Sequence, residues 1–217
     1  NEDGTIRKIQ EEEDGRSYSS NLAKLLKQLP KLQNLQEGKP PSPVMAHISL
    51  TNACNLTCSF CCFANRDISE KMPTEKVFQA LESFKAIGVT GVEFTGGGEP
   101  SIHPHFKEIV QYAKDLGFSL GICTNGARFG ADRPIKKDIV ELFDWVRLGM
   151  YGFYEGYDYD LSVFEGTNCK PSAAYVWDEN LETSKNPNIT GDLSDVKNKR
   201  VLSKKFQTTE NFIRMLD

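Results

Sequence analysis

The chain has 217 residues, of which 39% are hydrophobic and 26% are charged, and its formal net charge is −4. This composition is typical of a soluble globular protein and excludes a disordered chain, and no apolar run approaches the roughly 18 residues of a membrane-spanning helix. The small negative charge gives no evidence for nucleic-acid binding. Residues 1–16 lack the apolar segment of a signal peptide, which predicts a cytoplasmic protein without a membrane partner.

The first 43 residues are predicted to form a polar, partly helical extension that ends in a linker. Four leucines have helical spacing, namely Leu22, Leu25, Leu26 and Leu29. Pro30 is expected to end or kink that helix, because proline lacks the backbone N–H that a helix interior needs. The segment GKPPSP (38–43) is predicted as the linker, and residues 44–217 as the core domain.

Residues 44–151 alternate between strand and helix patterns. The predicted strands cover residues 46–51, 91–95, 118–124 and 145–151. The predicted helices cover residues 74–87, 105–117 and 135–143. The last three strands start about 27 residues apart, which predicts βαβ units and a parallel sheet of the α/β class.

About four βα units are therefore expected in the chain. The pattern fits half of an eight-stranded (β/α) barrel or two-thirds of a six-stranded one, and it also fits a doubly wound open sheet, because all share this local order. Residues 207–217 return to a helical pattern and are predicted as the fourth helix. Residues 152–203 then form a long insertion, and the core domain is expected to be incomplete.

Four of the six cysteines fall between residues 54 and 62, which favours metal ligation over disulfides. Cys54, Cys58 and Cys61 form a CxxxCxxC pattern directly after the first predicted strand. Thiolates are the ligands of iron–sulfur clusters, and a loop at the carboxyl end of a strand is a common place for a site. Two alternatives remain at this point: a zinc site that also uses Cys62, and cysteines that merely line one face of a helix.

The segment CNLTCSFC, with the aromatic Phe60 before the third cysteine, resembles the cluster motif of the radical S-adenosylmethionine (radical SAM) superfamily. Two further segments are similar to that family in order and position. Gly96, Gly97, Gly98, Glu99 and Pro100 follow the second strand, and Asn125 follows the third. The resemblance implies a partial TIM-like (β/α) barrel.

The resemblance also implies that Cys54, Cys58 and Cys61 bind a [4Fe–4S] cluster whose fourth iron position is open for S-adenosylmethionine. Phe60, the five residues of the glycine-rich segment and Asn125 are the implied contacts of that cofactor. Bare backbone groups at glycines allow the close approach that such a contact needs. Many members carry a serine near the end of the fourth strand, where this chain has Gly149. Arg147 is the candidate to pair with the cofactor carboxylate instead.

The implied activity is reductive cleavage of S-adenosylmethionine to a 5′-deoxyadenosyl radical, which abstracts hydrogen from a substrate. An electron donor such as flavodoxin or ferredoxin is the implied partner. The substrate is unidentified, with peptide maturation, nucleotide or RNA modification and enzyme activation as candidates. Two other classes stay open: an iron–sulfur electron carrier or sensor, and a zinc-stabilised interaction module.

Overall fold

The computed structural model describes residues 28–40, 42–58, 61–151, 157–177, 189–190 and 200–203. The chain divides into two units, Asn1–Ser42 and Pro43–Asp217. In the described part of the first unit, helix α1 covers Leu29–Gln36. Pro30 lies in the first turn of this helix, where no N–H is needed, and whether it also ends the helix predicted before it stays a prediction. The predicted helix before it and the predicted helix over 207–217 lie outside the described residues, apart from Gln28 and Leu29.

Six parallel strands form the main sheet in the described part of the second unit. They are β1 (Met45–Ile48), β2 (Gly91–Phe94), β3 (Ser119–Thr124), β4 (Trp145–Gly149), β6 (Lys170–Trp177) and β8 (Arg200–Ser203). Their order across the sheet is β1-β2-β3-β4-β6-β8. Two short strands, β5 (Tyr159–Asp160) and β7 (Ile189–Thr190), pair separately. The predicted parallel α/β sheet is confirmed.

Helices connect the first four strands of the sheet. Helix α2 covers Thr74–Ala86, α3 covers Phe106–Asp115 and α4 covers Lys137–Val140. In α3 the buried residues Phe106, Ile109, Val110 and Ala113 recur at helical spacing, so this face packs on the sheet. Helix α4 is a single turn, shorter than the predicted 135–143, and Phe143 beyond it is buried in the core.

The strand order decides between the two architectures that the sequence left open. Each strand of the main sheet pairs with the next one along the chain, without the reversal that a doubly wound sheet requires. Because crossovers between parallel strands are right-handed, a constant direction of winding places the connecting helices on one face. This is the arrangement of part of a (β/α) barrel, as expected.

The residues of the strands divide between the two faces of the sheet. Alternate residues, including Val92, Phe94, Leu120, Ile122 and Val146, are buried in the core with residues of α2 and α3. The other face, here called the inner face, carries Glu93, Cys123 and Arg147. The apolar residues of each strand thus pack with the helices in the core, and the polar residues on the inner face are available for a functional site.

The range predicted as an insertion, 152–203, contributes to the sheet and is not wholly an insertion. Strand β6 pairs with β4 from Lys170 onward, and β8 pairs with β6. The parallel strands therefore continue beyond β4, but the described residues between β4 and β6 contain a 3₁₀ helix at Ser162–Phe164 and no α-helix. Without an amphipathic helical pattern between these strands, the sequence gives no periodic signal for the repeat.

Candidate active site at the carboxyl ends of the strands

The cysteine loop, residues 52–66, follows β1 at the carboxyl end of the sheet. Leu56 is buried and anchors the loop to the core, while Cys54, Cys58 and Cys61 are half-buried and Cys62 is exposed. All four are free thiols. The predicted ligands therefore lie at one end of the sheet, and Cys62 is the most exposed of the four. Phe60 lies outside the described residues.

The sulfurs of Cys54 and Cys61 accept hydrogen bonds from side chains. Asn125 donates from Nδ2 to Sγ of Cys54 over 3.8 Å, and Arg66 donates from Nη1 to Sγ of Cys61 over 3.5 Å. Hydrogen bonds to sulfur are the means by which a protein tunes an iron–sulfur cluster. Within the described residues, no three His, Cys, Asp or Glu side chains converge to hold a single metal ion.

The glycine-rich segment after β2 packs directly on the cysteine loop. The amide of Glu99 donates to the carbonyl of Ala53 over 2.8 Å. A Cβ atom on Gly98 would overlap that carbonyl and lie 2.7 Å from the carbonyl of Thr51. Gly96 has a φ of +128°, and a Cβ there would clash with the side chain of Ser49. At Gly98 a glycine is required because backbone meets backbone between the two loops.

Glu99 joins the glycine-rich segment to the end of β3. Its side chain is buried, with 2% exposure. Oε1 accepts hydrogen bonds from the amide and hydroxyl of Ser101 and from the hydroxyl of Thr124, at 3.1, 2.6 and 2.7 Å. Oε2 accepts from the amide of Asn125 at 2.7 Å. Four protein donors surround the carboxylate, so Glu99 acts as a positioning residue, and Pro100 behind it is buried at the start of a 3₁₀ helix.

Asn125 is held on three sides at the end of β3. Its Nδ2 also donates to Oδ1 of Asn55 over 2.8 Å, and its Oδ1 accepts from the amide of Ala127 over 3.0 Å. Gly126 follows with a φ of +76°, which suits a tight turn. The side chain of Asn125 thus faces the cysteine loop, and its contact with the cofactor stays a prediction.

The inner face beneath the cysteine loop carries a hydrogen-bonded chain of polar groups. Cys123 on β3 donates from Sγ to Oε1 of Glu93 on β2 over 2.9 Å, and Nδ1 of His47 on β1 lies 3.4 Å from Oε2. Burial, followed by the contact with Glu93, raises the pKa of Cys123 to about 12. Cys123 is therefore a neutral thiol directed at the inner face, a role that sequence analysis missed because the partner strand supplies the acceptor.

Gly149 has a structural explanation at the end of β4. A Cβ at Gly149 would lie 2.5 Å from the ring of Tyr151, so the ring occupies the space of a side chain there. Burial raises the pKa of the Tyr151 phenol, and the positive charge of Arg147 opposes that rise. The position at which many family members carry a serine is thus Gly149 here, with Arg147 two residues before it and Tyr151 two residues after it.

The two histidines after the glycine-rich segment have structural roles. Nε2 of His103 lies 3.0 Å from the carbonyl of Met72, and its Nδ1 accepts from the amide of His105 over 3.3 Å. Both ring nitrogens of the buried His103 are therefore engaged. His105 is the N-cap residue of α3, in agreement with the expected helix start.

The residues at this end of the sheet fit an iron–sulfur cluster and a small chelating cofactor by their chemistry. Free, half-buried thiols are suitable soft ligands, and Asn125 and Arg66 already donate N–H groups to two of them. The adjoining glycine loop exposes backbone without side chains.

The sequence model of the radical SAM superfamily matches residues 48–156, which is half of the chain and includes the cysteine loop, the glycine-rich segment and Asn125. The chain belongs to the radical SAM superfamily. The cofactors of this superfamily are a [4Fe–4S] cluster and S-adenosylmethionine, so the expected cofactor pair is confirmed at the level of the family.

Two characterised relatives show the range of this similarity. The S-adenosylmethionine-dependent nucleotide dehydratase of Selenomonas ruminantium is 31% identical over 98 residues, which are 45% of this chain and 35% of that protein. The sporulation killing factor maturation protein SkfB of Bacillus subtilis is 34% identical over 85 residues, 39% of this chain and 20% of that protein. The aligned regions thus span about a third or less of these relatives.

Among solved structures, SuiB from Streptococcus suis bound to precursor peptide SuiA matches with a TM-score of 0.49 and 20% identity. The match covers 75% of this chain and 40% of that chain. In the described part of the present protein, no helix is long and apolar enough to cross a membrane. The cytoplasmic location stays a prediction from the sequence.

Proposed function

We propose that the protein is a radical SAM enzyme in which Cys54, Cys58 and Cys61 hold a [4Fe–4S] cluster. The observation that carries this proposal is the convergence of three loops. The amide of Glu99 binds the carbonyl of Ala53, and Asn125 binds the sulfur of Cys54. Segments after β1, β2 and β3 thereby meet around the thiols. An electron carrier needs only the first of these segments.

The residues of the chain position and enclose the reactants. Gly96 is exposed and Gly97 and Gly98 are half-buried beside the cysteine loop, and their backbone is proposed to receive the amino group of S-adenosylmethionine. Glu99 fixes this segment, and Asn125 fixes the sulfur of Cys54. When bound, the cluster supplies the electron that cleaves S-adenosylmethionine to a 5′-deoxyadenosyl radical for hydrogen abstraction.

Arg147 is proposed to bind the carboxylate of S-adenosylmethionine. Gly149 has no hydroxyl, and the ring of Tyr151 fills the space above it. Arg147 lies two residues earlier on β4 and is exposed on the inner face next to Cys123. A guanidinium binds a carboxylate in bidentate geometry, so it replaces a serine hydroxyl with a stronger contact.

The electron donor is proposed to be a flavodoxin or a ferredoxin. For the substrate, the named relatives include a nucleotide dehydratase and a maturation protein. We propose three candidate substrate classes: a peptide, a nucleotide or RNA, and a partner enzyme that the reaction activates. Hydrogen abstraction takes place on the inner face, where Glu93, Cys123 and Arg147 supply polar contacts.

The test is anaerobic reconstitution of the protein with iron and sulfide, followed by addition of dithionite and S-adenosylmethionine. Formation of 5′-deoxyadenosine, detected by mass spectrometry, is the expected result. Formation of a cluster without 5′-deoxyadenosine would indicate an electron carrier or sensor. Protein that contains zinc and has no visible absorbance would indicate a zinc-stabilised interaction module. Cys58→Ala is expected to lose the full cluster, whereas Cys62→Ala keeps it. A full [4Fe–4S] cluster in Cys58→Ala would contradict the ligand assignment.

A further inference from the structure

Arg66 connects both ends of the cysteine loop through its guanidinium group. Its Nε donates to the carbonyl of Asn52 over 2.6 Å. Its Nη1 donates to the carbonyl of Phe63 over 2.7 Å and to Sγ of Cys61 over 3.5 Å. Two successive turns bring Arg66 back to the sulfur, since the amide of Ala64 binds the carbonyl of Cys61 and the amide of Arg66 binds that of Phe63.

The charge of Arg66 is directed at the sulfur, and no carboxylate within the described residues neutralises it. Among the described residues, none of the ion pairs includes Arg66. The neighbouring Asp67 instead accepts hydrogen bonds from the amide and hydroxyl of Ser69. Arginine stays protonated at every physiological pH, so this positive charge is permanent.

We propose that Arg66 sets the reduction potential of the cluster by donating a charged N–H to the ligand sulfur of Cys61. The inference rests on the proposed function, because it requires the cluster to be bound by this loop. With three thiolates the cluster carries a net charge of about −1 when oxidised and about −2 when reduced. A cation at the sulfur stabilises the reduced form more than the oxidised form, so Arg66 makes the potential less negative.

The contact of Asn125 with Cys54 is the weaker of the two. Asn125 is a neutral donor at 3.8 Å, whereas Arg66 is a charged donor at 3.5 Å. Charge-assisted hydrogen bonds are shorter and about twice as strong as neutral ones. Of these two contacts, the one at Cys61 is therefore expected to influence the potential more.

A purely structural role of Arg66 makes a different prediction from a role in tuning. If Arg66 only holds the loop, its loss lowers cluster occupancy without changing the potential of the clusters that form. Arg66→Gln keeps an amide donor and removes the charge. Arg66→Lys keeps the positive charge and loses the planar guanidinium group with its forked N–H donors. A matched control is Arg133→Gln, because Arg133 is also half-buried and donates to a backbone carbonyl, that of Ala127.

The experiment is a redox titration of the reconstituted cluster in wild-type protein and the three variants, followed by electron paramagnetic resonance. For Arg66→Gln, the ratio of reduced to oxidised cluster at the wild-type midpoint is expected to fall tenfold, a shift of about 59 mV to more negative potential for a one-electron couple. Arg66→Lys is expected to lie between this variant and wild type, and Arg133→Gln to match wild type. A wild-type potential in Arg66→Gln overturns the inference and leaves the proposed function standing.

A second measurement on unsubstituted protein covers the case in which Arg66→Gln binds no cluster. Protein labelled with ¹⁵N in the guanidinium groups of arginine is reconstituted, reduced and examined by pulsed electron paramagnetic resonance. A hyperfine coupling between the reduced cluster and ¹⁵N is expected from the hydrogen bond of Arg66. Absence of this coupling overturns the inference. Failure of wild-type protein to form any cluster overturns the proposed function itself.

Discussion

Glu99 and Asn125 are linked by a hydrogen bond of 2.7 Å from the backbone amide of Asn125 to Oε2 of Glu99. The two residues are 26 positions apart and lie at the carboxyl ends of neighbouring strands. Through this bond the segment after β2 fixes the segment after β3. Asn125 in turn donates to Cys54, so a buried carboxylate orients a residue that contacts a proposed cluster ligand.

Glu99→Gln is expected to lower the free energy of unfolding by about 1.5–3 kcal/mol, because a buried charged acceptor is lost. The new side-chain amide can place its NH₂ group at the position of either carboxylate oxygen. At Oε1 the NH₂ group would face the backbone N–H of Ser101, and at Oε2 it would face that of Asn125. One donor therefore loses its acceptor. Urea unfolding of the cluster-free protein measures the change.

The control for this substitution is Glu108→Gln on α3. Glu108 is an exposed residue that pairs with His105, and its change is expected to stay within about 0.5 kcal/mol. Equal stability of Glu99→Gln and wild type would show that the four hydrogen bonds to the carboxylate contribute little.

Gly98→Ala is expected to prevent stable assembly of the cluster. Its Cβ would overlap the carbonyl of Ala53 and lie 2.6 Å from the carbonyl carbon of Asn52, so the cysteine loop would have to move. Gly91→Ala is the matched control, because a Cβ at Gly91 would meet its nearest atom at an ordinary 3.5 Å. Iron and sulfide content after reconstitution is the measurement. Full loading of Gly98→Ala would contradict the close packing of the two loops.

Cys123 is expected to react very slowly with iodoacetamide at pH 8. Because its pKa is raised to about 12, roughly one thiol in ten thousand is ionised at that pH. Glu93→Ala removes the acceptor and the negative charge that contribute to this rise, so it should speed the reaction, although burial still limits it. Mass spectrometry of the cysteine-containing peptides gives the rates.

Cys169 provides the internal control for the reaction of Cys123. Burial raises its pKa to about 12 as well, but the negative charge that adds to this rise is that of Asp144 and not that of Glu93. Its rate should be the same in wild type and Glu93→Ala. A uniform increase at both cysteines would indicate general loosening of the fold and would contradict a specific contact.

The stability of the protein is expected to fall on acidification partly through His103. Burial lowers the pKa of His103 below its ordinary value of 6.5, and nearby His105 and Lys71 act in the same direction. The unfolded chain then takes up the proton first, so this contribution is complete above about pH 6.5 and is lost as pH falls through the folded pKa.

His103→Gln is expected to flatten the loss of unfolding free energy between about pH 7 and pH 5, at the cost of lower stability at neutral pH. His105→Gln removes only one of the smaller influences on the pKa of His103, so it should change the slope less than His103→Gln does. Denaturant unfolding at several pH values measures both slopes. An unchanged slope in His103→Gln would assign the acid sensitivity to other groups.

The order of strands and helices over residues 44–151 was predictable because each element has a periodic apolar pattern of its own. Helix α4 was overestimated, since Ile139, Val140 and Phe143 are buried whether they belong to a helix or to a turn. Strand β6 was missed, because a short 3₁₀ helix replaces the amphipathic helix that marks the earlier repeats. Sequence patterns identify helices and strands whose apolar residues recur at a regular spacing, and they miss elements without such spacing.

The sequence by itself determined the cysteine spacing at 54, 58 and 61, the glycine-rich segment at 96–98 and the family to which these motifs belong, because they depend only on residues close together in the chain. Tertiary structure alone decided which side chains reach the thiols. Asn125 lies 71 positions from Cys54, and Glu93 lies 30 positions from Cys123. Their contacts follow from the register of parallel strands and from turns in the loops. Both arise from packing of the whole sheet, which no local pattern encodes.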